Sequence, residues 1–167
     1  METSQIRIES IDDKMLVGFR ETMSLIQNST ADLWRRFMTR RNELKKTINA
    51  DLLSLQIYTK DYFDNFDPTR NFEKWATAEV ESFDSIPEGM DTLALNGGLY
   101  AVFPHKGPAS DAKKTMQFTL GTWLPDSKYY LDDRPHFEVL GLKYCNNHPD
   151  SEEEFWIPIK LKPGNTP

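Results

Sequence analysis

Cysteine is almost absent from this chain: Cys145 stands alone among 167 residues. No intrachain disulfide can form, and a reducing compartment is the expected setting. Basic residues are also short, 20 Lys and Arg against 26 Asp and Glu for a formal net charge of −6. A nucleic-acid binder normally carries a basic balance, so direct nucleic-acid binding is not expected. The histidines, His105, His136 and His148, are too few and too scattered for a metal set. Cys145 and His148 form a lone C-x-x-H pair beside Asn146 and Asn147, whereas zinc needs four ligands or three plus water. We expect neither metal nor cofactor. No apolar run reaches membrane-spanning length, and the opening METSQIRIESIDD lacks an apolar signal core, which predicts a cytoplasmic chain off the membrane. G-x-S-x-G is missing, and NGG at 96–98 reads as a hairpin turn rather than a phosphate loop.

What the chain does hold is enough for a core: 38% hydrophobic and 12% aromatic residues, in a length of about one domain. An internal duplication organises it. In the first half MLVGFRETM alternates as a strand, and Ser29 to Lys46 reads as a helix. Leu33, Trp34, Phe37, Met38, Arg41 and Leu44 follow a helical period there, with Ser29 or Thr30 as N-cap. The strands DLLSLQIYT and FEKWATAEV follow, separated by KDYFDNFDPTRN. The second half repeats the order with GLYAVFPHKG and a helix from about Ala109, whose stripe is Thr115, Met116, Thr119, Leu120, Trp123 and Leu124. HFEVLGLKY and EEEFWIPIK complete it. LQIYT then falls on FEVLG and Trp75 on Trp156, while QIRIES and DTLAL lead the two halves. The predicted class is α+β, with duplicated β-β-α-β-β units, about 1–83 and 84–160, in a single domain over 1–160. They form a curved, mostly antiparallel sheet of about eight strands with two helices on one face. The tail 161–167 reads as frayed. A cleft between pseudo-twofold halves is a natural pocket.

Glu138 is the first candidate for chemistry. Along PHFEVLG, Phe137, Val139 and Gly141 share one face, and His136, Glu138 and Leu140 share the other. Taken singly, Glu138 is a solvent-facing strand residue. Yet Leu140 and Leu142 continue its face, and the matching strand sets Gln56 and Tyr58 in equivalent places. A carboxylate on a half-apolar face needs a partner, which a cationic ligand supplies. On that reading Glu138→Gln leaves folding intact, or even stabilises the empty protein by removing an unpaired buried charge. Trp75, Trp156, Tyr58, Tyr100 and Phe103 are core residues one by one. Combined with a single acid, they make a flat aromatic wall for a lipophilic cation. The basic series Arg35, Arg36, Arg40, Arg41, Lys45 and Lys46, and the acidic DSEEE, read as solvated surface.

GGLYAVFPHKGP, WLPDSKYYLDDRPHFEVL and HPDSEEEFWIPIK, in that order, resemble the GyrI-like small-molecule-binding domain, the effector-binding domain of AraC- and MerR-type regulators. The resemblance is strongest over Gly98 to Lys160 and looser in the first half. It implies a duplicated sheet-and-helix fold with an aromatic pocket between the halves, its acid at Glu138 and its walls at Leu140 and Trp156. Tyr58 and Trp75 follow from the internal repeat. No helix-turn-helix can be fitted, so the chain resembles the standalone form. The function implied is binding of a lipophilic, cationic or aromatic small molecule. Two alternatives stay open: a hydrolase of cyclopropane-type toxins using Glu138 with Tyr58 or Tyr100, and a protein-partner module of gyrase-inhibitor type. Neither the ligand nor the oligomeric state can be read from the residues.

Overall fold

Period-two alternation becomes nine strands in the computed structural model, which describes residues 5–166. They are β1 (Arg7–Ile11), β2 (Lys14–Ser24), β3 (Leu52–Ile57), β4 (Asn71–Val80), β5 (Asp91–Leu95), β6 (Gly98–Lys106), β7 (Tyr129–Leu131), β8 (His136–Leu140) and β9 (Glu152–Leu161). Every ladder between them is antiparallel, in the order β1-β6-β9-β8-β3-β4-β2-β5, with the short β7 on β9. The fold is α+β, and the extra strand over the expected eight is the three-residue β7.

The duplication is visible in the register. Leu55 of β3 pairs with Phe137 of β8, each the counterpart of the other in the repeat, so a pseudo-twofold axis passes through that pair. Leu55 also pairs with Trp75, and Phe137 with Trp156, so the two tryptophans occupy equivalent positions. One expectation fails here. The NGG segment is not a hairpin turn: β5 lies on β2 and β6 lies on β1, so each leading strand pairs with the other repeat. The links between β1 and β2 and between β5 and β6 meet side by side. The Gly97 amide donates to Asp13 Oδ1 at 2.7 Å, and a Cβ at Gly97 would sit 2.2 Å from the Ile11 carbonyl oxygen. Only glycine allows that approach.

One helix, α1 (Thr30–Arg40), covers the first half, with Leu33 and Phe37 buried. It stops earlier than its apolar period predicts, running into a short 3₁₀ turn, and Met38 stays exposed. Ser29 is the N-cap residue but makes no side-chain cap; Asn28 Oδ1 accepts the Thr30 amide instead. The second helical segment runs as α2 (Ala112–Phe118), a π-helical turn at Thr119–Trp123 and a last turn at Leu124–Asp126. Pro125 has no amide to donate and crowds the carbonyl one turn back, which accounts for the widened turn ahead of it. The segment packs Met116, Leu120, Trp123 and Leu124 on the sheet, as its stripe predicts. Where the tail begins, Lys162 Nζ donates to the carbonyls of Pro125 and Ser127.

Partners in a ladder share a face, so the register traces rows across the sheet. Phe19, Ala76, Ser54, Glu138, Phe155 and Phe103 form one such row. Its Phe19 end belongs to the core under α1, and its Phe103 end to the core under α2. Both helices therefore lie on one face, and the row's midpoint, Ser54 and Glu138, falls between them. The opposite face has no helix. It curls on itself, so that Leu16, Leu55, Trp75, Leu95, Tyr100, Phe137 and Trp156 from seven strands fill a third core. Among the described residues no helix is long and apolar enough to cross a membrane.

Candidate ligand-binding site

The ground between the helix-packed patches holds charge where a sheet of this kind ordinarily holds aliphatic side chains. Glu138 Oε1 accepts a hydrogen bond from Gln56 Nε2 at 3.1 Å. Its other oxygen lies 3.8 Å from Lys74 Nζ, and the Lys74 side chain is only 8% exposed against 21% for Glu138. A lysine buried that far needs a counter-ion, so the expectation of an unpaired Glu138 is corrected: its partner is within the fold. Glu153 lies on the same face, two residues before Phe155 along β9, and is 9% exposed. Burial, then repulsion from Glu138, pushes Glu153 up to about 7, and Lys74 opposes the shift. DSEEE is thus not wholly solvated surface; its middle glutamate turns inward because Phe155, Ile157 and Ile159 fix the pleat.

Around these charges stand neutral groups. Tyr58 is raised above the usual phenol range by burial and by Glu138, and Tyr144 is raised by burial, Glu153 and Glu138. His136, beside Glu138 on β8, is lowered to about 3 by burial alone. It packs edge-on to Tyr58 at 4.9 Å. Tyr62 and Phe63, from the turn-rich segment between β3 and β4, pack over Tyr58 at 4.5 and 4.9 Å. The hydroxyl of Tyr62 and Nδ1 of His136 are buried without a hydrogen-bond partner among the described residues. From the far side, His105 of β6 is the ladder partner of Glu153. Its Nε2 donates to the Pro108 carbonyl at 3.2 Å, which leaves Nδ1 to accept from the Thr115 hydroxyl at 3.0 Å. The HKG histidine therefore fastens α2 to the sheet.

The structure divides the residues expected at the site. Glu138, Leu140 and Tyr58 come together on the helix-bearing face, Leu140 and Tyr58 packed against the core under α1. Phe103 is on that face too, but fully buried under α2 and edge-on to Trp123. Trp75, Trp156 and Tyr100 lie on the other face, so they do not wall Glu138. There Trp156 stacks on Phe137 at 5.2 Å, and Tyr100 donates its hydroxyl to the Pro135 carbonyl at 2.9 Å. Leu142 is out as well, because β8 ends at Leu140 and the next turn leaves Leu142 95% exposed. Sequence reasoning missed Lys74 and Glu153. Lys74 interrupts the row Phe72, Ala76 and Ala78 of β4, which was a readable signal, whereas Glu153 stands at the head of the row Phe155, Ile157 and Ile159 of β9 and reads as part of the acidic turn. Two cavities stand out on the surface, and neither is lined by Glu138. One of about 270 Å³ opens beside Tyr58, between Thr22, Ile57, Thr59, Asn71, Phe72 and Glu73. The other, of about 380 Å³, lies beyond α1 around Arg41 and Asn49. Cys145 is an exposed free thiol, and no cluster of metal-ligating side chains occurs among the described residues.

Comparison with known proteins bears on this geometry. The family described as Cass2, integron-associated effector binding protein, matches residues 7–159. The transcriptional regulator BrlR of Pseudomonas aeruginosa is 26% identical over 145 residues, 86% of this chain and 51% of BrlR. The chain thus spans about half the length of that relative. Among solved structures, SAV2435 bound to tetraphenylphosphonium aligns with a TM-score of 0.70 at 20% identity, covering 96% of this chain and 94% of that one. An integron cassette protein from the mobile metagenome of Vibrio cholerae aligns with a TM-score of 0.66 at 15% identity, covering 94% and 97%. At these identities the structural likeness speaks to the fold.

Proposed function

The chain belongs to the Cass2 family of integron-associated effector binding proteins, and on that premise we propose that it takes up a lipophilic organic cation between its two repeats. The observation that carries the reading is the charge set at the sheet's midpoint. Two carboxylates, Glu138 and Glu153, stand with one ammonium, Lys74, in a largely buried place. With both acids ionised the set is one positive charge short, and a desolvated negative charge is costly until a cation meets it. Aromatic groups close by, Tyr58, Tyr62, Phe63 and Tyr144, suit a flat or aryl-bearing cation through stacking and cation–π attraction. The tetraphenylphosphonium held by SAV2435 is a ligand of that chemistry.

In this reading Glu138, Leu140 and Tyr58 border the ligand, while Trp75, Trp156, Tyr100 and Phe103 support the sheet beneath it. Entry requires side chains to give way, and the aromatic segment around Tyr62 and Phe63 borders the open cavity at Tyr58. Hydrolysis by Glu138 together with Tyr100 is not favoured, because the sheet stands between them. The test is calorimetric titration at pH 8 with tetraphenylphosphonium and with neutral triphenylphosphine oxide. The cation should bind at least about tenfold more tightly, a difference of about 1.4 kcal/mol. Equal affinities, or no binding of either, would refute a cation-directed site.

A further inference from the structure

The acid that the family likeness singles out is already occupied. Glu138 gives one oxygen to Gln56 at 3.1 Å and turns the other toward Lys74 at 3.8 Å. Among the described residues Glu138 is the only carboxylate within ion-pair distance of Lys74, whose side chain is 8% exposed. Drawing Glu138 away to a ligand would strand a buried ammonium, which is strongly unfavourable. Glu153 is in the opposite condition. It is nine-tenths buried, yet among the described residues no ion pair or side-chain hydrogen bond reaches its carboxyl group. Its ladder partner His105 has both ring nitrogens committed to Thr115 and Pro108. We propose that Glu153, not Glu138, is the carboxylate that meets the ligand's cation, and that it releases a proton to solvent as the cation binds. Glu138 then stays with Lys74 and Gln56 as a fixed pair beside it. The proposal rests on the organic-cation reading above and names the group that acts in it.

The step balances simply: the O–H bond of the neutral Glu153 carboxyl breaks, its proton passes to buffer, and the cation replaces the proton's charge. The groups that face Glu153 from other elements are Glu138 of β8, Lys74 of β4, Tyr144 after β8 and His105 of β6. Tyr58 and His136 lie beyond them. Both phenols are held in the neutral form near pH 7, and so is His136. Glu153 itself is pushed up to about 7, chiefly by burial and next by Glu138. Cation binding should therefore be pH-dependent in a direction ordinary for an acid: tighter as the pH rises.

Titration calorimetry of tetraphenylphosphonium in phosphate and in Tris, whose ionisation heats differ, counts the protons. We expect about nine-tenths of a proton released per ligand at pH 6 and about one-tenth at pH 8, with affinity about tenfold higher at pH 8. Glu153→Gln should abolish the release and weaken binding at pH 8 by about 30-fold or more. Near-ultraviolet circular dichroism establishes that the variant is folded. If wild type binds the cation without releasing a proton, or if Glu153→Gln binds equally well, Glu153 is not the ligand's partner and the organic-cation reading stands without it. Failure of wild type to bind any of a panel of aryl cations overturns that reading itself.

Discussion

Glu153→Gln should stabilise the empty protein at pH 8, and the gain should vanish in acid. Its carboxyl is held at about 7 against an ordinary value of 4.5. In the unfolded chain Glu153 ionises first, near pH 4.5, while the folded protein still keeps its proton. Stability from this group is thus fully present below about pH 4.5 and is lost as pH rises through about 7. A difference of this size is worth about 3 kcal/mol if fully expressed, and the sliver of solvent exposure reduces it to about 2 kcal/mol. Glutamine keeps the shape and cannot ionise, so it escapes that loss. Urea denaturation at pH 4.5, 6 and 8 on wild type and variant isolates the effect as a difference, in which other titrating groups cancel. The variant's advantage should grow from near zero at pH 4.5 to about 2 kcal/mol at pH 8, or roughly 4–8 °C in melting temperature. A constant difference across that range, or a variant less stable at pH 8, would mean that Glu153 is solvated or paired, and both the buried charge set and the proposal built on it would fail.

Glu138→Gln should do the reverse at pH 8, destabilising by about 1–3 kcal/mol, because Lys74 then keeps only Glu153 as counter-charge. Removal of Glu138's repulsion should also move the Glu153 titration toward acid, visible as a lower midpoint in the same stability-against-pH profile. An unchanged or stabilised Glu138→Gln protein would remove the case for the pair. His136 is held at about 3, below its usual 6.5, so its contribution is present above pH 6.5 and is lost as pH falls toward 3. His136→Phe, which keeps a ring against Tyr58, should therefore lose about 2 kcal/mol less than wild type between pH 8 and pH 5 in urea melts. Identical losses would place His136 in contact with water.

Much of the fold was legible because the signals that set it are local or repeated. Alternation in MLVGFRETM, the stripe Met116, Leu120, Trp123 and Leu124, and the recurrence of one order of elements predict the α+β class, the antiparallel sheet and the equivalence of Trp75 with Trp156. The helix ends were less legible. Asn28 supplies the hydrogen bond assigned to Ser29 or Thr30, and Pro125 is absorbed by a π turn that no stripe announces.

The sequence by itself determined which residues on one strand share a face, since a pleat of period two is a property of the chain alone. That is why His136, Glu138 and Leu140 keep company as expected. Which face of a neighbouring strand lies level with them depends on register, and register is a long-range choice made by whole rows of side chains. Only the tertiary structure could therefore send Trp75, Trp156 and Tyr100 to the far face and exchange the leading strands between repeats. The same pairing brings Lys74 from β4 and Glu153 from β9 to the acid on β8. Their meeting follows from three ladders and the two strands between them, and no window of consecutive residues contains it.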